Sequence, residues 1–146
     1  MSSWRDIIRT IYPDMREFSV KVMGNSMFPT IKAGESVPVL MRDDIKFCIG
    51  DILVFRYKNE GFLIHRLLQK KGQIYYCKGD NSIRMESVGK ENILGVANVQ
   101  NDFLRTHEFM QASLKIAELS NFYKENNIDS LRSSLEFRQY WESFLR

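Results

Sequence analysis

The run DILVFRYKNEGFLIHRLLQKKGQIYYC, residues 51–77, decides the fold. It holds three short segments rich in aliphatic and aromatic residues, separated by two turns. Lys58-Asn59-Glu60-Gly61 and Lys70-Lys71-Gly72 each end on a glycine where a hairpin has to reverse. The same texture continues on both sides. Phe18–Met23, Ser36–Leu40, Asp51–Tyr57, Gly61–Gln69, Gln73–Cys77 and Ile93–Gln100 read as strands, with Gly34, Gly50, Gly61, Gly72 and Gly89 at turns. Strands this regularly spaced, with no helical period between them, predict an antiparallel β module that curls upon itself, barrel-like or as a coiled sheet.

Helices are expected at either end. Over residues 3–12, Trp4, Ile7, Ile8 and Ile11 fall on one helical face, Ser3 is placed to cap the first turn, and Pro13 stops it. Beyond residue 101, Leu104, Phe109, Leu114, Ile116, Ala117, Leu119 and Phe122 form one stripe. After Asn126-Asn127, Leu131, Leu135, Tyr140, Trp141, Phe144 and Leu145 form a second, with Asp129 as its cap. The domain organisation expected is therefore a core over 1–101 and an appended helical hairpin over 102–146.

Composition narrows the function classes. The chain has 146 residues, 44% hydrophobic, and 21 Lys+Arg against 18 Asp+Glu, a net charge of +3. That is apolar enough to bury a core, and too weakly basic to make nucleic acid the main partner, which wants a dense basic stripe. Two cysteines, Cys48 and Cys77, make no disulfide framework; two buried free thiols are expected rather than one bridge. Two histidines and two cysteines fall in no ligand spacing, so no metal is expected, and no glycine-rich phosphate loop implies a nucleotide cofactor. No apolar run reaches the ~18 residues of a membrane span and the N-terminus has no secretory apolar region, so the expectation is a cytoplasmic protein.

Three segments spend polar residues where a plain barrel would not. Gly24-Asn25-Ser26-Met27-Phe28-Pro29-Thr30 follows a strand and presents Ser26 on a turn that glycine tightens and proline stiffens. A serine on such a turn suits a nucleophile, because its own backbone N–H can face a developing oxyanion. Read alone, it is more simply a turn with no chemistry. Phe62–Leu68 is an aliphatic strand with His65 at its centre, and imidazole, with an ordinary pKa of ~6.5, suits a general base; it also suits a hydrogen-bonded core residue. Lys78-Gly79-Asp80-Asn81-Ser82 is a strand-end turn whose Asp80 could hold an imidazole in one tautomer or merely cap backbone amides.

Taken in order, Gly-x-Ser-Met-x-Pro at 24–29, Gly-Asp-Ile-Leu-Val-Phe at 50–55, Ile-His-Arg-Leu at 64–67 and Lys-Gly-Asp-Asn at 78–81 resemble the signal peptidase I family and, more broadly, the LexA/UmuD-type self-cleaving proteases. The resemblance covers about residues 17–99. It implies Ser26 as the nucleophile, His65 at the base position as in the endoplasmic-reticulum and archaeal branch, and Asp80 as the aspartate behind it. It maps a further acidic position onto Glu86, where aspartate is usual. Lys78 matches the lysine beside the aspartate and is expected to support the site, by charge or structure. Gly24, Asn25, Met27 and Pro29 are candidates for the substrate cleft, and the Ser26 N–H for the oxyanion hole.

The resemblance thus implies a serine endopeptidase without cofactor, making a limited cut in a peptide or protein precursor, such as leader removal from a small modified peptide. Members that process secreted proteins carry a membrane anchor, and none is read in this chain. The C-terminal helices could grip the leader or a partner protein; their aromatic end could also touch a membrane surface, although a face without cationic excess favours packing on the β module. Two alternatives share the fold: a peptide-binding module that does not cut, and a self-cleaving stress regulator. The second fits less well, because the Ala-Gly pair, Ala33-Gly34, follows Ser26 rather than preceding it.

Overall fold

The computed structural model describes residues 4–41 and 46–125. A short helix, α1 (Trp4–Ile11), precedes β1 (Glu17–Lys21), β2 (Ser36–Leu40), β3 (Ile52–Arg56), β4 (Phe62–Lys71), β5 (Ile74–Lys78), β6 (Met85–Gly89) and β7 (Ile93–Ala97); α2 (His107–Glu125) follows. The strands form one antiparallel sheet in the order β1-β2-β7-β3-β4-β5-β6. It does not close into a barrel: β1 and β6 remain its two edges. It does coil, because the turn that follows β1 is hydrogen-bonded to the turn that precedes β6.

The expected meander over 51–77 is present as β3, β4 and β5, paired Leu53↔His65 and Leu67↔Cys77. Gly61 and Gly72 take φ of 81° and 58° at its two turns, a backbone region that costs a side chain dearly and glycine little. β4 runs two residues further than expected, through Lys70 and Lys71. β6 is a strand that the sequence reading omits altogether.

The core lies on both faces of the sheet. Phe47, Leu53, Phe55, Tyr57, Leu67, Cys77, Val88 and Ile93 pack into one cluster. Val22, Met27, Ile31, Val37, Ile52 and Ala97 make a second beneath the turn that carries Ser26. The third, Val39, Val54 and Leu94, is covered by Trp4 and Ile8 of α1. Ile7 and Ile11, expected on the same buried face, are 39% and 64% exposed. A helix of two turns on a sheet buries a narrower face than the four-residue pattern suggested.

Thr106 caps α2, its hydroxyl accepting the Phe109 N–H at 3.1 Å. Leu104, Phe109, Ile116 and Ala117 of the expected stripe are buried. The second stripe, from Asp129 to Leu145, and the Ser3 cap lie outside the described residues. Both cysteines are free; Cys77 is buried as expected, whereas Cys48 is exposed.

Candidate active site

Ser26 sits in the turn 24–30, and the chain locks that turn to the one at 79–82. Asn81 donates its backbone N–H to the Ser26 carbonyl at 2.8 Å and its side-chain amide to the Asn25 carbonyl at 3.0 Å. The Thr30 hydroxyl donates to Asp80 Oδ2 at 2.6 Å, and the Asp80 N–H points at Met27 Sδ, 3.4 Å away. Gly79 lets the two turns approach. A Cβ there would stand 2.6 Å from the Ser26 carbonyl oxygen, 2.7 Å from Ser82 Oγ and 3.1 Å from His65 Nε2. Space rather than backbone conformation demands glycine at this position.

β4 delivers His65 to the serine. Its Nε2 lies 3.1 Å from Ser26 Oγ, and its Nδ1 is hydrogen-bonded to Glu86 Oε1 on β6. Beside an ionised carboxylate, which only accepts, a neutral imidazole in this place would carry its proton on Nδ1 and present the Nε2 lone pair to the serine hydroxyl. The imidazole is 5% exposed and Glu86 is fully buried. The Phe55 ring stands edge-on to the imidazole at 6.2 Å between centroids. Ser26, Leu63, His65, Ser82, Ile83 and Arg84 line an open cleft of about 400 Å³, with Glu86 at its back.

Asp80 is not behind the imidazole. It serves Arg66, which donates from Nε to Oδ1 and from Nη2 to Oδ2, both at 2.8 Å, and reaches on to both carboxylate oxygens of Asp102 at 2.9 and 2.7 Å and to the Gly50 carbonyl at 2.9 Å. Adjacent strand residues face opposite sides of a sheet, so His65 and Arg66 cannot share a carboxylate. The place that the resemblance gives to Asp80 is taken by Glu86. Burial works to lower the Arg66 pKa, but hydrogen bonds and charge from Asp80 and Asp102 overcome it, and the guanidinium is held even more firmly charged than usual.

The other expected residues distribute unevenly. Lys78 is buried, and its Nζ donates to the carbonyls of Gly79 at 2.8 Å and Ser82 at 2.6 Å, tying the end of β5 to the turn. Met27, expected in the cleft, is fully buried in the core and cannot touch a substrate. Gly24 and Asn25 are exposed beside Ser26, and Pro29 is half-buried. Neither they nor Pro29 is among the cleft-lining side chains. His107 begins α2, exposed and away from the cleft. Among the described residues no group of His, Cys, Asp and Glu is placed to hold a metal ion.

Residues that the sequence reading left without roles also shape the site. Arg66 was announced by its setting: a guanidinium among Ile64, Leu67 and Leu68 has to be paired if it is buried. Arg84 donates to Glu86 Oε2 at 3.1 Å and forks onto Glu60 at 3.0 Å twice; Glu60 chiefly, and Glu86 with it, strengthen its hold on its proton. Cys77 pairs with Glu86 across β5 and β6, and burial first, then the Glu86 charge, push its thiol well above the ordinary range.

The description "Peptidase S24-like" matches residues 6–98. The chain belongs to the peptidase S24-like family. The match takes in the serine turn, β4, the 79–82 turn and β6. No curated protein and no solved structure matches the chain closely enough to add a finer assignment. Membership in the S24-like family supports a serine peptidase, in a group that includes LexA/UmuD-type self-cleaving proteins. Among the described residues, no helix of this family member is long and apolar enough to cross a membrane.

Proposed function

We propose that this S24-like protein is a serine endopeptidase of Ser/His type, similar in its chemistry to the endoplasmic-reticulum and archaeal signal peptidases, that makes a limited cut in a peptide or protein precursor. The observation that carries the reading is the continuous line Ser26 Oγ, His65 Nε2, His65 Nδ1, Glu86 Oε1 at the back of an open cleft. In this reading His65 accepts the Ser26 proton as Oγ attacks the scissile carbonyl, then returns it to the leaving amine. Water resolves the acyl-enzyme with His65 again as base. Glu86 keeps the imidazole in the required tautomer and stabilises its charged form. The Ser26 N–H contributes to the oxyanion hole.

The substrate would lie extended. The cleft is bordered by Leu63, Ile83 and the residues leading into β6, an edge strand with one free side. Main-chain hydrogen bonds along such an edge supply affinity, and pockets for alternate side chains supply specificity. Relatives favour small residues before the cut, so Ala or Gly is assigned there. Leader removal from a small modified peptide in the cytoplasm is the biological setting proposed, with the C-terminal segment over 102–146 gripping the leader or a partner enzyme. Deleting 126–146 tests that grip without taking Asp102 from Arg66.

The reading is tested by mass spectrometry of a diverse peptide mixture incubated with wild type, Ser26→Ala and His65→Ala. Cuts made by wild type alone, sharing a small residue before the bond, are expected. A mixture left intact by wild type but retained on Ser26→Ala would replace the peptidase by a binding module. Loss of intact mass by the protein itself, absent in Ser26→Ala, would replace it by a self-cleaving regulator.

A further inference from the structure

The carboxylate of Glu86 has two oxygens and two different partners. Oε1 faces His65 Nδ1, and Oε2 accepts from Arg84 Nε at 3.1 Å. A carboxylate held by one oxygen alone can rotate about its terminal torsion, which is broad; held by both, its direction is set. Arg84 is itself held. Its Nη1 and Nη2 fork onto Glu60 at 3.0 Å each, and its guanidinium carbon lies 5.2 Å from the centre of the Tyr57 ring. Glu60 belongs to the 3-10 turn Lys58–Glu60 between β3 and β4, so the bracing runs from the hairpin that carries His65 to the residue that leads into β6.

We infer that Arg84 is a positioning residue for His65, acting through Glu86 and anchored in turn by Glu60. The inference rests on the peptidase reading for its consequence, but not for its geometry. Among the described residues, the charged groups near the imidazole are few. Glu86 meets it from β6 and Arg84 stands behind Glu86. Lys78, at the end of β5, spends its ammonium on the Gly79 and Ser82 carbonyls, and Arg66 leaves the opposite face of β4. Cys77, across from Glu86, stays a neutral thiol. Arg84 is half exposed, with 51% of its side chain open to solvent, so replacing it leaves the core intact.

Two mechanisms for such an arginine differ in sign. If it acts only as a nearby cation, removing it makes the imidazolium easier to form, and the His65 titration midpoint rises. If it holds Glu86 in line, removing it frees the carboxylate, the imidazolium loses its partner, and the midpoint falls.

The experiment is an NMR titration of the His65 ring in the full chain, assigned by comparison with His65→Ala, together with the far-downfield Nδ1 proton. For Arg84→Gln the expected result is a lower midpoint and a weakened Nδ1 signal, with Arg84→Lys recovering part of both, since an ammonium can again donate to Glu86 but lacks the planar fork that grips Glu60 at the same time. An unmoved or raised midpoint in Arg84→Gln overturns the inference. In parallel, labelling of Ser26 by a fluorophosphonate should slow by about tenfold or more in Arg84→Gln, the cost of a misdirected catalytic group. Wild type that fails to label at Ser26 overturns the peptidase reading instead, and the His65 midpoint still decides the role of Arg84.

Discussion

His65 and Arg66 are neighbours in β4 whose side chains leave opposite faces of the sheet, one to Glu86 and the other to Asp80. The two carboxylates therefore do different work, and substitution should separate them. Glu86→Gln is expected to slow Ser26 labelling by about 10³-fold or more, the scale of loss when the acid behind a catalytic imidazole is neutralised. Asp80→Asn should change labelling far less per folded molecule while lowering stability. Comparing labelling rates with urea midpoints for both variants checks the division.

Arg66 supports the fold rather than the reaction. Arg66→Met would leave the carboxylates of Asp80 and Asp102 facing each other with no cation between them, and breaking a buried pair in this way costs about 3–5 kcal/mol. Asp102→Asn should cost less, because that carboxylate is 15% exposed and Arg66 keeps Asp80. Equilibrium urea unfolding orders the two; equal losses would contradict the arrangement.

Gly79→Ala adds one carbon where the Ser26 carbonyl and His65 stand too close to receive it. The expected outcome is displacement of the serine turn, a stability loss of about 1–3 kcal/mol as for other overpacked sites, and loss of Ser26 labelling well beyond that. Gly24→Ala, where a Cβ meets nothing within 4 Å, is the control and should leave the stability unchanged.

The two thiols should react very differently. Cys48 is exposed, whereas Cys77 is buried beside the charge of Glu86, which opposes thiolate formation. Alkylation of the native protein near neutral pH should add one group, at Cys48, and a second only after unfolding. The linkage has a definite sign. A thiol raised in the folded state contributes nothing adverse below the unfolded value of about 8.5 and costs stability as pH climbs past it. Cys77→Ala should flatten that alkaline decline in the unfolding midpoint, and an unchanged decline would assign it elsewhere.

Much of the fold was legible in the chain, and the omissions have physical reasons. The glycines at 61 and 72 and the apolar runs around them announced the meander, and Ser36–Leu40 appears as β2 at its expected bounds. β6 was not legible because its buried positions are Glu86 and Val88: a strand whose inward pattern contains a carboxylate does not alternate as an apolar strand does. The same residue explains the exchange of Asp80 for Glu86. Asp80 stands in a conspicuous turn and draws the eye, but which acid reaches the imidazole depends on the pairing of β5 with β6, Cys77 opposite Glu86, and that register is not visible in the residues themselves. The role of Arg84 is hidden for a similar reason, since Glu60 and Glu86 converge on it only after the sheet has coiled.

The knot between the serine turn and Asn81 also sets a timetable. Asn25 and Asn81 are 56 residues apart in the chain, and His65 and Glu86 are 21 from each other. During synthesis from the N-terminus Ser26 is exposed to solvent long before the residues that would arm it have been made. A ribosome-bound chain at that stage carries the hydroxyl but has no base, no acid behind the base and no clamp on the turn. On the proposed peptidase reading, the protein is silent toward itself and its neighbours until β7, which joins β2 to β3, has left the ribosome and the sheet is complete.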